Sequence, residues 1–194
     1  MRTASLKRKT KETDIAVELN LDGKGKGDVN TSIPFLDHML TLFSFHGVVD
    51  LRIRAKGDIE IDCHHLMEDL GIALGETIKK ALGEKKGIRR YGAATIPMDE
   101  SLARVIIDLS GRPYLVYKVK PPKTIVRGLE FSLFEDFFRA LTNHSMMNLH
   151  IIVEYGRDQH HIFEAIFKAF GKALKDAVSA DRNIKGIPTT KGML

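Results

Sequence analysis

Apolar and polar positions alternate over residues 13–22, with Ile15, Val17, Leu19 and Leu21 on one side. This predicts a strand, closed by a turn at Asp22-Gly23. Residues 23–28, rich in Gly and Lys, read as a flexible loop. Pro34 is suited to the first turn of a helix. Phe35, Met39, Leu42, Phe43 and His46 keep helical spacing, and Gly47 is placed as its C-cap. Val49, Leu51, Ile53 and Ala55 alternate as a second strand. Gly57-Asp58 turns the chain into a short third strand with Ile59 and Ile61 inward. Asp62 then stands where a helix cap is expected, ahead of an amphipathic face of Leu70, Gly71, Leu74, Ile78 and Leu82 that ends near Gly83.

From Ile88 the pattern restarts. Residues 100–111 align with residues 12–23 at an offset of 88: Glu, a hydroxyl, alternating apolar positions and Gly all match. Pro121-Pro122 and Gly128 mark loops, and residues 131–147 carry helical spacing in Phe134, Phe137, Phe138 and Leu141. Leu149, Ile151 and Val153 form a strand, and a last helix runs through Phe167, Phe170, Leu174 and Ala177. Gly75 and Gly171, Ala73 and Ala169, and Ala81 and Ala177 match at an offset of 96, so small residues at equivalent places allow close helix packing. The tail, 186–194, has no periodicity. The expected fold is α+β, an internal duplication of two half-domains, 1–87 and 88–194, the second including the C-terminal tail. Each would be a four-stranded sheet with two helices on one face, stacked as an α/β/β/α sandwich.

Composition narrows the classes. Apolar residues make up 43% and charged residues 28% of the 194, ordinary for a soluble domain. No apolar run approaches the roughly 20 residues of a membrane span. The basic N-terminus lacks a following apolar segment, so no secretory signal is expected there. The single cysteine, Cys63, excludes an internal disulfide and suits a reducing cytoplasm. A net charge of +5 suits a small phosphorylated substrate; no nucleic-acid motif accompanies it.

The chemistry concentrates in a pattern that occurs twice, His64-His65-Leu66-Met67-Glu68 and His160-His161-Ile162-Phe163-Glu164, 96 residues apart. On a helix, positions i and i+4 share a face, so His64 pairs with Glu68 and His160 with Glu164. The adjacent His65 and His161 point about 100° away. Each motif is therefore expected to give a His and a Glu to one site and its second His to another, across a pseudo-twofold within a chain or between chains. Both motifs would be ordinary polar helix starts if they did not recur. Imidazole with carboxylate suits Zn, Fe, Ni or Mn. His38 is a candidate third ligand, and Asp136, at the comparable place in the second repeat, would fill that role through oxygen.

Other polar residues have a plainer alternative. Glu12 and Glu100 stand before equivalent strands; a salt-bridged strand end is the usual explanation, an acid or base the sharper one. His46 and His144 align near helix ends, where a His can complement the dipole. Arg90, Arg112, Lys168 and Lys191 are individually ordinary surface cations. Lys168 lies four residues after Glu164, and with Thr189-Thr190-Lys191-Gly192 it could grip a phosphate. Cys63 has Gln159 as its counterpart and is read as incidental.

With these residues in view, the chain resembles the imidazoleglycerol-phosphate dehydratase family nearly end to end. The likeness is carried by Arg8-Lys9-Thr10-Lys11-Glu12-Thr13, Pro34-Phe35-Leu36-Asp37-His38-Met39-Leu40, both His-His motifs, Asp108-Leu109-Ser110-Gly111-Arg112-Pro113-Tyr114 and Ile187-Pro188-Thr189-Thr190-Lys191-Gly192. The resemblance implies a cytoplasmic lyase of histidine biosynthesis that converts D-erythro-imidazole-glycerol phosphate to imidazole-acetol phosphate. It implies two Mn²⁺ per active site, built between subunits of a homo-oligomer of twenty-four, with no nucleic-acid or membrane partner. It makes His38, His64, His65, Glu68, His160, His161 and Glu164 ligands, and Glu12 the acid/base with Glu68 and Glu164 also catalytic. It places His46, Arg90, Arg112, Lys168, Thr189 and Lys191 at the substrate. Asp136 departs from the family's usual His, and Thr189 and Thr190 from its usual Ser. The expected chemistry is loss of water through an imidazolate and a diazafulvene-type intermediate, with metal acting as Lewis acid. A metallohydrolase would need no second motif, and a metal-storage cage would be helical, against the strand patterns.

Overall fold

In a computed structural model, residues 1–120, 125–126 and 128–191 are described. The expected loop at Pro121-Pro122 and the last part of the tail lie outside them. Strands β1 (Thr3–Lys9), β2 (Thr13–Asn20), β4 (Asp50–Gly57) and β3 (Gly27–Asn30) lie in that order in one sheet, with helices α1 (Pro34–Gly47) and α2 (His64–Leu82) between and after them. The second half repeats this. Strands β5 (Tyr91–Met98), β6 (Ser101–Asp108), β10 (Asn148–Tyr155) and β7 (Tyr114–Lys118) form the second sheet in the equivalent order. Its helices are α3 (Leu133–Ser145) and α4 (Gln159–Val178), and a short hairpin of β8 (Ile125–Val126) and β9 (Leu129–Glu130) precedes α3. In each sheet one edge strand, β3 or β7, runs parallel to its neighbour and the other pairs are antiparallel.

The duplicated α+β fold, with four-stranded sheets carrying two helices each, is as the sequence suggests. The stacking order is the reverse of the α/β/β/α expectation. Helices α1 and α2 cover the first sheet, α3 and α4 the second, and α1 packs on α4 and α2 on α3. The layers therefore run sheet, helices, helices, sheet. The reason lies in the helices, which are apolar on more than one side. In α4 alone Ile162, Phe163, Ala165, Ile166, Phe167, Ala169, Phe170 and Ala173 are buried, and such a helix belongs in a core. The strands instead turn Lys7, Glu18, Arg52 and Lys118 outward. The helix layer is filled by seven fully buried phenylalanines from both repeats, among them Phe43 stacked on Phe170 at 4.8 Å and Phe134 against Phe163 at 4.4 Å.

Matched glycines set the distance between helices, as expected. A Cβ on Gly171 would lie 2.6 Å from the Phe43 carbonyl oxygen and 2.8 Å from the Gly47 nitrogen; one on Gly75 would lie 2.6 Å from the Leu141 carbonyl oxygen. Gly47 is thus a crossing residue and not the C-cap expected of it. The left-handed residue that ends α1 is Val48 (φ 54°), and its equivalent Met146 (φ 60°) ends α3.

Other expectations fail for identifiable reasons. The third strand after Gly57 does not form: residues 58–63 are a turn, and Ile61 is 70% exposed. Part of the expected loop at 23–28 is strand β3, because the Lys24 and Lys26 amides donate to Asp50 Oδ1 at 2.8 and 3.1 Å and align the chain beside β4. Strand β1 carries an inward Arg8 that donates to Asp69 of α2 at 2.9 Å, while Thr13 Oγ1 donates to the other oxygen of Asp69 at 2.5 Å. These bonds fasten the start of α2 to the sheet. The tail lies along the junction of the repeats, with the Gly87 amide donating to Gly186 O at 2.9 Å and Asp181 N to Gly87 O at 2.9 Å. Among the described residues no helix is long and apolar enough to cross a membrane.

Candidate metal centre and active site

An aspartate accepts from the first turn of each motif helix: Asp158 as the N-cap of α4, and Asp62 from one residue before the N-cap Cys63 of α2. Asp62 Oδ1 accepts from His64 N at 2.7 Å, and Asp158 Oδ1 from His160 N at 2.7 Å and His161 N at 3.3 Å. This holds each His-His pair in the first turn, one ring per helix face.

The crossing of α1 on α4 brings His38 beside His160, ring centroids 5.4 Å apart. Between them lies Glu164, whose Oε1 is 3.1 Å from His38 Nε2 and 2.9 Å from His160 Nε2. Lys168 Nζ meets the other oxygen at 2.5 Å, so the cation expected on Glu164's face is there and is paired with it. The two imidazoles are nearly half exposed and the carboxylate beneath them is 11% exposed. Burial pushes the Glu164 carboxyl up, but Lys168, His38 and His160 outweigh it and hold the group down at about 2. The ligating atoms of His38, His160 and Glu164 lie within 4.8 Å of one another. Two imidazole nitrogens and one ionised oxygen converging this closely fit a divalent transition ion.

The crossing of α2 on α3 makes the equivalent cluster in looser form. His64 Nε2 is 3.6 Å from Glu68 Oε2, and His64 Nδ1 is 4.0 Å from Asp136 Oδ2. With Ile72, Arg139 and His144 these residues line a cavity of about 150 Å³. Asp136 thus stands where His38 stands in the other cluster. Ile72 replaces Lys168, and Glu76, which faces His144 Nδ1 at 3.4 Å, replaces Lys172.

The second histidines of the motifs diverge from these clusters, as the helix geometry requires. His65 Nδ1 is 3.0 Å from Asp58 Oδ2 and 3.9 Å from Glu12 Oε2. His161 Nδ1 is 2.7 Å from Glu100 Oε2. Glu100 is held far below the usual carboxylate range, first by the Asp158 amide and then by His161; its carboxylate raises His161 in turn. Glu12 is half exposed, at the rim of an open cavity that Lys9, Lys11 and Lys56 also line. Sequence reasoning missed Asp58, because it assigned the turn to a strand, and missed Lys172.

The other expected substrate residues are spread more widely. Arg90 gives two hydrogen bonds to Asp108, at 2.6 and 3.1 Å, and one to Pro188 O at 2.9 Å, which ties it to the tail. Lys191 N donates to Thr189 Oγ1 at 3.1 Å there. Arg112 is exposed on the turn after β6. His46, near the end of α1, is lowered by burial first and then by Lys168 and Lys172 of α4.

The Glu100–His161 pair predicts a pH signature for metal-free protein. A depressed carboxylate contributes stability present above the ordinary Glu value, about 4.3, and lost as pH falls through the folded value. A raised His contributes stability present below about 6.5 and lost as pH rises through its folded value. The pair therefore stabilises most between these limits. Thermal unfolding of Glu100→Leu should lose this maximum relative to the parent; superimposable pH profiles would refute it.

Fold and clusters together define a duplicated α+β enzyme scaffold with paired histidine–carboxylate centres. A family model described as imidazoleglycerol-phosphate dehydratase matches residues 31–174. Curated relatives with that name include proteins of Thermodesulfovibrio yellowstonii, 57% identical over 100% of both chains, and Syntrophus aciditrophicus, 55% identical over 100% of this chain and 99% of that one. Crystal structures of the dehydratase from Staphylococcus aureus (40% identity, TM-score 0.83, 92% of this chain and 99% of that one) and from Pyrococcus furiosus (39%, 0.83, 97% and 100%) share the fold. The chain belongs to the imidazoleglycerol-phosphate dehydratase family, hydro-lyases of histidine biosynthesis.

Proposed function

We propose that this chain dehydrates D-erythro-imidazole-glycerol phosphate to imidazole-acetol phosphate, using two Mn²⁺ per active site. The observation that carries the reading is the His38–His160–Glu164 cluster: a buried, ionised carboxylate beneath two open imidazoles. His38, His160 and Glu164 would hold one ion, and His64, Glu68 and Asp136 the other. Each cluster offers three donors and open sides, so His65 and His161 would complete the sites from neighbouring chains. On this reading the enzyme is a cytoplasmic homo-oligomer, of twenty-four subunits as the family resemblance implies, without nucleic-acid or membrane partners. The chain divides into the repeats 1–87 and 88–194.

Bound metal supplies Lewis acidity that favours the deprotonated substrate ring. The protein's own groups do the rest. The hydroxyl on the carbon attached to the ring leaves as water, with a proton delivered to it, through a diazafulvene-type species. Glu12, half exposed and not hydrogen-bonded to His65, moves the proton between the neighbouring carbon and solvent. Glu164 remains ionised at its cluster, and Glu68 takes the equivalent catalytic place at the other. Arg90, Arg112, Lys168, Thr189 and Lys191 grip the phosphate, with His46 at the substrate, which adds binding energy remote from the reacting carbons.

The test is turnover of imidazole-glycerol phosphate with Mn²⁺ supplied or chelated, followed by size exclusion of each sample. Activity and a large particle should require metal together. No turnover by metal-replete assembled protein would overturn the lyase reading, and an unchanged particle after chelation would remove metal from the subunit contact.

A further inference from the structure

The two repeats hold their second histidines with carboxylates that are not equivalent. His161 is held by Glu100, from the β5–β6 hairpin, at 2.7 Å. The other oxygen of Glu100 accepts from Ser101 Oγ at 3.0 Å, Asp158 N at 2.9 Å and Arg157 N at 3.2 Å, so the carboxylate is fixed. The repeat equivalent of Glu100 is Glu12, which at 3.9 Å is too far from His65 Nδ1 to hydrogen-bond. That nitrogen is taken by Asp58 at 3.0 Å, from the turn after β4.

The exchange is built into the backbone. The position matching Asp58 in the second repeat is Gly156, where a Cβ would lie 2.5 Å from Ser101 Oγ, the hydroxyl that holds Glu100. A side chain there would have to displace the Ser101 hydroxyl, one of the three donors that fix Glu100. In the first repeat the residue matching Ser101 is Thr13, whose hydroxyl donates to Asp69 at 2.5 Å, so among the described residues no comparable clamp holds Glu12. In both repeats a carboxylate oxygen stands at hydrogen-bond distance from Nδ1; a neutral ring that donates there keeps its electron pair on Nε2, the state a metal requires.

We propose that Asp58 and Glu100 are positioning residues that set the tautomer of His65 and His161 for metal binding, and that Asp58, by occupying His65, leaves Glu12 free to act as acid and base. This rests on the metal-dependent reading above. Without Asp58, Glu12 closes the short gap to His65 and takes over the clamp.

Free Mn²⁺ measured by its room-temperature EPR signal during titration of the full-length protein tests this, with kcat recorded at saturating Mn²⁺. Glu100→Leu should bind Mn²⁺ about 10- to 100-fold more weakly at the sites that use His161, with partial rescue in Glu100→Gln. Asp58→Ala should lose little affinity yet lose about 100-fold in kcat, as Glu12 is captured. Glu12→Ala should keep parental affinity, and Asp58→Ala combined with Glu12→Ala should bind about 10- to 100-fold more weakly. Parental affinity in Glu100→Leu and in the double variant would overturn the proposal. So would additive losses from the two single changes, or parental kcat in Asp58→Ala. Failure of the parent itself to bind Mn²⁺ would instead overturn the metal reading beneath it, which the other outcomes leave standing.

Discussion

Glu164→Gln is expected to abolish turnover and to remove one class of metal site. Glu164 joins three side chains: it accepts from His38 and His160 on one oxygen and from Lys168 on the other. Glutamine keeps the shape but replaces a formal negative charge with an amide. The cluster then presents two imidazoles, a neutral group and a largely buried ammonium, a set that repels a divalent ion. Affinity at that site should fall by more than about 100-fold, beyond what the loss of an outer-shell partner costs. Activity should fall by at least about 100-fold with it. Lys168, 17% exposed, also loses its partner, so stability should drop by about 2 kcal/mol. Binding stoichiometry and chemical denaturation measure the two effects separately. Glu68→Gln should affect the other class of site and cost little stability, since Glu68 is half exposed. Full metal occupancy in Glu164→Gln would show that the cluster is not a ligand set.

The second large effect needs no change to any ligand. Gly171→Val should destabilise the protein by about 3 kcal/mol and weaken metal binding at the same cluster. The added carbon meets backbone atoms, Phe43 O at 2.6 Å and Gly47 N at 2.8 Å, which cannot rotate away. Helices α1 and α4 must therefore separate, and His38 leaves Glu164. Local propensity alone argues the other way, since valine is a better helix former than glycine. Gly75→Val makes the matched test on α2 and α3, where it meets Leu141 O at 2.6 Å, and should disturb His64 and Asp136 instead. A Gly171→Val protein as stable as its parent in denaturant would refute the close-approach account.

What the sequence discloses here follows from the range of the interactions involved. The His-His-x-x-Glu spacing needs only helix geometry, and it correctly separates His64 from His65 and His160 from His161. The Glu164–Lys168 pair is equally local. The duplication is legible because equivalent apolar, glycine and charged positions recur. Strand β1 is not, since its inward face is Ala4, Leu6 and Arg8, and Arg8 belongs there only because Asp69 waits 61 residues on. Strand β3 pairs with β4 across a helix, which no local pattern records. The layer order was readable in principle, from the many apolar positions around α4. The Asp58 clamp was not, since it depends on a turn whose Ile59 and Ile61 mimic a strand.

The left-handed endings of α1 and α3 carry a broader lesson. Val48 and Met146 each bear the roughly 1–2 kcal/mol penalty of a side chain in that conformation. A glycine one residue later than Gly47 would relieve the first of these. Both repeats nevertheless end in the same unfavourable turn, and in the first the glycine stands instead at the place where two backbones touch. The molecule accepts a poor helix ending in each half and keeps its two halves close together. A thermostabilised form could then be sought at Val48 and Met146, two positions remote in role from the chemistry, while Gly47 and Gly171 are left alone.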